Sequence, residues 1–303
     1  MYYCVNIKIT NHIIFRKFLL KGSFKVRKSL ITTAVLGALV APSLVFAADA
    51  APASDFTASY NVGLFSQYIF RGLTQTNNKP ALQGGFDVSH KSGLYIGGWS
   101  SNVSWLRDNA GVTGYSPVYS SGGSLEIDLY GGFKTEVQGL GIDLGALQYY
   151  YPGARNDSFD KANTTELYGA LSYGWIQAKI SGVVSKDAWG FGKKYNAQTN
   201  GDDERGTYYA ELNANIPLAD TGFTALLHVG RQEFNQAKYG PDLPDASYTD
   251  WKAGLTKGFD GGINVGAYYT DTNISTANAA ANWTYANKNI GDSTGTVFVQ
   301  KVF

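Results

Sequence analysis

Leu125-Glu126-Ile127-Asp128-Leu129-Tyr130-Gly131 alternates aliphatic residues with carboxylates and a tyrosine. Successive side chains of an extended strand point to opposite faces, so this stretch reads as a strand with one oily and one polar face. Outward from it the same period recurs. Phe56-Thr57-Ala58-Ser59-Tyr60-Asn61-Val62-Gly63-Leu64 and Tyr208-Tyr209-Ala210-Glu211-Leu212-Asn213-Ala214 repeat it. Twelve such segments are marked, at 56–68, 81–90, 94–105, 124–133, 139–150, 164–173, 175–186, 206–215, 222–232, 247–257, 262–271 and 295–303.

The connections between them alternate in length. Short ones fall at 90–93, 134–139, Gly174, 217–222 and 258–262. Long polar ones fall at 71–79, 106–123, 151–163, 187–205, 233–245 and 271–293. An even strand number, short periplasmic turns and long extracellular loops characterise outer-membrane barrels, whereas a soluble sandwich has no reason to sort its loops by length. The predicted fold is therefore all-β: a closed antiparallel transmembrane β-barrel of about twelve strands over 56–303. Both termini lie on the short-turn side, and strand 12 pairs with strand 1 because an open edge in hydrocarbon strands backbone groups.

The apolar parity then faces lipid. Leu82, Phe86, Val88, Ile127, Leu129, Ile142, Leu144, Leu167, Leu171, Ile176, Ile180, Leu212, Phe223, Leu227, Trp251, Leu255, Ile263 and Val265 carry it. Lys301 also has outward parity, and near the membrane edge its amine can snorkel to the interface.

The chain's start reads as an export signal. Lys21, Lys25, Arg27 and Lys28 precede an apolar run at 30–40, and Val45-Phe46-Ala47 supplies a small-residue cleavage site, placed after Ala47. The run is too short for a helical span of ~20 residues, and Pro42 interrupts it. Residues 1–25 are either a long basic leader or a start assigned upstream of the true one. Residues 48–55 form a short periplasmic segment. Seven basic residues and no acidic ones lie in 1–47, so their loss leaves 18 basic against 24 acidic residues. No basic patch for nucleic acid is present. Cys4 goes with the leader, and the remainder has no thiol for a disulfide, metal or nucleophile.

Several runs carry a family resemblance: Ser66-Gln67-Tyr68-Ile69-Phe70-Arg71-Gly72-Leu73, Pro80-Ala81-Leu82-Gln83-Gly84-Gly85-Phe86-Asp87, and Gly93-Leu94-Tyr95-Ile96-Gly97-Gly98-Trp99-Ser100-Ser101-Asn102-Val103. So do 125–133, 149–153 and Glu166-Leu167-Tyr168. The chain resembles the TorF-type family of outer-membrane porin-like proteins. That resemblance implies an outer-membrane barrel with pore activity, and it implies no substrate and no catalytic residues.

The inward parity holds Asp87, Glu126, Asp128, Asp143, Glu166, Glu211 and Asp250 against Lys179 and Lys252. Rings of carboxylates favour cations, so one expectation is a diffusion channel for small polar solutes or ions with mild cation preference. The other is that these groups pair across the lumen and plug it, leaving a closed barrel with a structural, adhesive or envelope-stability role. Arg71, where the first strand leaves the wall, is expected to reach back to a carboxylate such as Asp87 and brace the first hairpin. Tyr60, Tyr68, Tyr95, Trp99, Tyr149, Trp175, Trp189, Tyr268 and Trp283 are candidates for interfacial girdles. A sugar-stacking track is the sharper alternative. Asp202-Asp203-Glu204 reads as a solvated loop, or as a loose Ca²⁺ or lipopolysaccharide contact. Beyond the leader only His90 and His228 remain, with no H-E-x-x-H. That is too little for a catalytic triad or zinc site, and no cofactor is expected. The expected partners are the lipid bilayer and lipopolysaccharide, the barrel assembly machinery through the terminal Phe303, and small solutes.

Overall fold

The computed structural model describes residues 54–109, 111, 116–157, 159, 161–190, 203–235 and 245–303. The predicted leader 1–47, most of the 48–55 segment, Asp202 and most of the 187–205 loop lie outside them.

Twelve antiparallel strands close into a barrel. They are β1 (Phe56–Phe65), β2 (Ala81–His90), β3 (Leu94–Asn102), β4 (Leu125–Val137), β5 (Leu140–Tyr150) and β6 (Thr164–Tyr173), then β7 (Ile176–Val183), β8 (Tyr208–Pro217), β9 (Phe223–Glu233), β10 (Tyr248–Phe259), β11 (Ile263–Thr272) and β12 (Thr294–Val302). Each pairs with its sequence neighbours, and β12 returns to β1, with Asn61 opposite Val302 and Phe65 opposite Phe298. Closure satisfies every wall strand on both sides, which hydrocarbon demands.

The predicted lipid face is the exposed face. Leu82 is 62% accessible, Leu144 57% and Leu129 56%. The buried set holds instead Glu126, Asp128, Glu166 and Asp250. Apolar outside and polar inside inverts a water-soluble protein, so the solvent around the wall is lipid. Trp175 and Tyr60 are exposed, as girdle residues should be, whereas Tyr68, Tyr95, Trp99, Tyr149, Trp189 and Trp283 are buried. Their parity or their loop turns them inward, which removes these six from the girdles.

Two expectations about connections change. The predicted 134–139 linker is mostly strand. β4 runs on to Val137, and Gln138 and Gly139, with φ of 53° and 84°, turn the chain in two residues. Such two-residue hairpins need positive φ at both positions, which Gly adopts at no cost. The larger change concerns β1. It ends at Phe65; residues 66–68, expected in the first strand, and 71–79, expected as an external loop, fold into the barrel, burying Gln67 to Ile69 and Gly72 to Thr76 and leaving Phe70 and Arg71 partly exposed. At the short-turn rim the final residues lie against β1: Phe303 N–H donates to the Tyr60 carbonyl at 2.9 Å. Lys301 Nζ donates to the Gly261 carbonyl, so the outward lysine ends at the rim.

Candidate functional site

The inward segment carries a miniature hairpin. Ile69 pairs with Thr74 and Phe70 with Leu73, which leaves Arg71 and Gly72 as a two-residue tip. Their φ values are 47° and 80°. Positive φ at both central positions is the turn whose twist matches paired strands. Glycine meets that demand freely; for arginine it is a strained choice that the surroundings must hold. Gly72 is also forced by space, because a Cβ there would lie 2.5 Å from Asp250 Cβ and 2.7 Å from Thr272 Cγ2. The tip of this finger therefore abuts β10 and β11, which follow β12 around the wall from its own root in β1.

Arg71 is held at that tip from several strands. Its Nη2 donates to Glu166 Oε1 at 2.9 Å and Oε2 at 2.8 Å, and its Nη1 donates to Gln232 Oε1 at 2.9 Å. The guanidinium carbon lies 4.4 Å from the Tyr209 ring centre, 4.7 Å from Phe70 and 5.3 Å from Trp189. Side-chain exposures of 7% for Arg71 and 1% for Glu166 make this a dry ion pair. The expected partner, Asp87, is instead bonded by the Tyr130 hydroxyl at 2.7 Å. Arg71 thus ties the finger to β6 and β9 across the lumen rather than bracing its own hairpin. The finger's base is anchored too. Gln67 Nε2 donates to Thr294 Oγ1 at 2.8 Å, and the Thr74 N–H donates to the Ile290 carbonyl at 2.9 Å.

Beside the finger stands the stretch that opened the sequence reading. Glu126 accepts from the hydroxyls of Tyr68 and Tyr151, each at 2.8 Å. Asp128, next along the same inward face and fully buried, lies within hydrogen-bond reach of the Glu126 carboxyl. Glu166 also accepts from the Tyr149 hydroxyl at 3.1 Å.

The other predicted inward groups all face the interior. Asp143 accepts from the Tyr95 hydroxyl at 2.6 Å and lies 3.6 Å from Lys134. Lys179 sits 4.6 Å from the centre of the Tyr168 ring, and Lys252 sits 5.3 Å from that of Tyr268. Asp250 accepts from the Tyr209 hydroxyl at 2.8 Å and lies 3.0 Å from His228 Nε2. Glu211 accepts from Asn213 Nδ2 at 2.9 Å. Two inward cations were missing from the sequence count, Arg71 and Lys134. Among the described wall strands and the finger the balance is then seven carboxylates against four cations, a weaker acidic excess than seven against two. Parity alone would have found Lys134, two positions beyond the inward Gly132. Nothing in parity reports a loop cation. Glu204, expected in a solvated loop, is buried and accepts from Thr207 Oγ1 at 3.3 Å; Asp203 pairs with Arg205.

The wall, its lipid face and its polar interior make this a barrel of the bacterial outer membrane. No curated protein matches the chain. Among solved structures it is similar to the KdgM porin, solved with disordered oligogalacturonate. Identity there is 8% and the TM-score 0.43, with 81% of this chain and 98% of that one covered. It is similar to the NanC porin at 11% identity and TM-score 0.43, over 81% and 98%. It is similar to the outer-membrane protein OprD of Pseudomonas aeruginosa at 12% identity and TM-score 0.36, over 81% and 65%. Likenesses this distant leave the barrel to be argued from its own strands. Matched over residues 49–303, the chain belongs to the family described as bacterial protein of unknown function, Gcw_chp.

Proposed function

We propose that the protein is a narrow outer-membrane channel for small ions or small polar solutes, with the finger at residues 69–74 as its constriction and a mild cation preference. The observation that carries this reading is the polar inward face, which runs from Asp128 beside the finger through Asp250, Glu211 and Lys252 to Asp143 and Asp87. A barrel kept only as a wall has no need of a charged interior, which is costly to bury. Solute passage does need one. The finger narrows this path and is fixed at its tip by one ion pair and one glutamine. The TorF-type resemblance supports the same reading. Export through residues 1–47, lipopolysaccharide at the long-loop rim and recognition of the last strand with Phe303 by the assembly machinery complete the proposal.

One observation favours the closed barrel with a structural or adhesive role. Most lumen charges already have a partner, Glu166 with Arg71 above all. Planar-bilayer recordings of the purified protein separate the two. The channel reading expects small discrete steps and, in a salt gradient, a reversal potential of the sign set by cations. A tight, silent membrane supports the closed barrel.

A further inference from the structure

The finger's tip rests on a buried polar triangle that β8, β9 and β10 bring together. Gly72 lies so close to Asp250 that a Cβ would collide with it, and the Arg71 guanidinium lies over the Tyr209 ring. Beside them His228, from β9, completes the triangle. Its Nε2 is 3.0 Å from Asp250 Oδ1 and 2.8 Å from the Tyr209 hydroxyl, which is itself 2.8 Å from Asp250 Oδ2. The His228 and Tyr209 rings are nearly parallel, at 19°. Side-chain exposures of 9% for His228 and 1% for Asp250 leave water little access to these contacts.

The protons of this cluster can be counted from its partners. Asn213 Nδ2 donates to Glu211 Oε2 at 2.9 Å, which turns Asn213 Oδ1 toward His228 Nδ1, 2.7 Å away. Glu211 Oε2 lies 3.6 Å from the same nitrogen. Amide and carboxylate oxygens only accept, so Nδ1 carries a proton. On the other side of the ring, three contacts join Nε2, the tyrosine hydroxyl and the carboxylate, and tyrosine has one proton to give. Given to Asp250, it leaves Nε2 facing two acceptors. Given to Nε2, it leaves Asp250 with no donor among the described residues. A neutral histidine beside an ionised aspartate has no second proton to offer, because its own is on Nδ1. The imidazolium, donating from both nitrogens, satisfies every contact at once. The charges around it are mixed. Glu211 on β8 and Asp250 on β10 favour a positive ring. Lys252, its register partner on β10, opposes it, with the ammonium 5.3 Å from the centre of the Tyr268 ring. Lys179 on β7 stands opposite Glu211, and Arg71 is bonded to Glu166.

We infer that His228 holds an extra proton in the seat of the finger, and that this removable positive charge is a selectivity determinant, restraining the channel's preference for cations. The selectivity role rests on the channel reading; the proton does not. Histidine exchanges its proton near neutral pH, and the chain has three: His12 in the predicted leader, His90 at the end of β2, and His228. The first test is the reversal potential in a KCl gradient, from about pH 5 to about pH 9, for the parent, His228→Gln and His90→Gln. As the proton leaves, the parent's cation-over-anion permeability ratio is expected to rise about 2- to 5-fold, the effect of one unit charge roughly 8 Å from the path, partly screened. His228→Gln should start near the parent's alkaline ratio and lose most of that rise. His90→Gln should keep it. The second test is imidazole ¹⁵N NMR of the full protein in nanodiscs, with His90→Gln assigning the His228 signals, so that it needs no His228 variant to fold. Both His228 nitrogens are expected to be protonated at the acid end, and Nε2 to lose its proton as the pH rises. A bare His228 nitrogen throughout the range, or an equal rise in the parent and His228→Gln, would overturn the inference. Silence in bilayers would overturn the selectivity role together with the channel reading, and the ring signals then decide the proton on their own.

Discussion

Arg71 and Glu166 lie in the lumen without water to screen them, so each needs the other. Removing one partner of such a pair leaves a buried charge uncompensated, at about 3–5 kcal/mol, while replacing both is far milder. Arg71→Met should therefore lower the urea midpoint of the folded barrel strongly, read by heat-modifiable gel mobility. Adding Glu166→Leu to Arg71→Met should restore most of it. A double variant as weak as the single one would show that the pair is not what holds the tip. Gly72→Ala tests the same tip through the backbone. Its φ of 80° and the crowding by Asp250 and Thr272 predict a loss of about 1–3 kcal/mol by the same gel assay. Asp128→Asn should cost little in the same assay, since the amide keeps the shape and can donate to the neighbouring Glu126 carboxyl. The sequence exposed the carboxylate half of this site through parity. It hid the arginine half, because Arg71's partner is chosen by barrel closure and lies 95 residues away.

At the scale of elements, the strands were legible because lipid and lumen enforce a two-residue period on every wall segment. Leu129 and Asp128 sit where the alternation in 125–131 puts them. Leu144→Arg, at a strand centre on the lipid face, is expected to cost about 2–4 kcal/mol. The measurement is folding into vesicles across a urea series; a change under 1 kcal/mol would contradict the assigned face. The finger was not legible for the converse reason. Residues 69–80 have no period, and polar loop residues look alike whether water or a polar lumen receives them. Arg71-Gly72 did carry a turn signal, but a two-residue hairpin says nothing about where its tip points. The buried tyrosines misled in a similar way. An aromatic near a strand end reads as a girdle residue until Tyr68 and Tyr149 are found donating to Glu126 and Glu166.

For the whole molecule, closure turns twelve weak amphipathic strands into one wall and encloses whatever the polar parity supplies. The excess of seven carboxylates over four cations predicts a cation preference that fades as salt screens it. Whether the path conducts is the central claim, and the finger offers the most direct way to test it. Phe65 and Ala81 are direct cross-strand partners, so residues 66–80 can be replaced by an Asn-Gly turn without lengthening either strand. The decisive measurement is the single-channel conductance of that variant beside the parent, both shown to be folded barrels. A narrowed channel predicts small steps for the parent and several-fold larger ones without the finger. Silence from both, or equal steps, would contradict it.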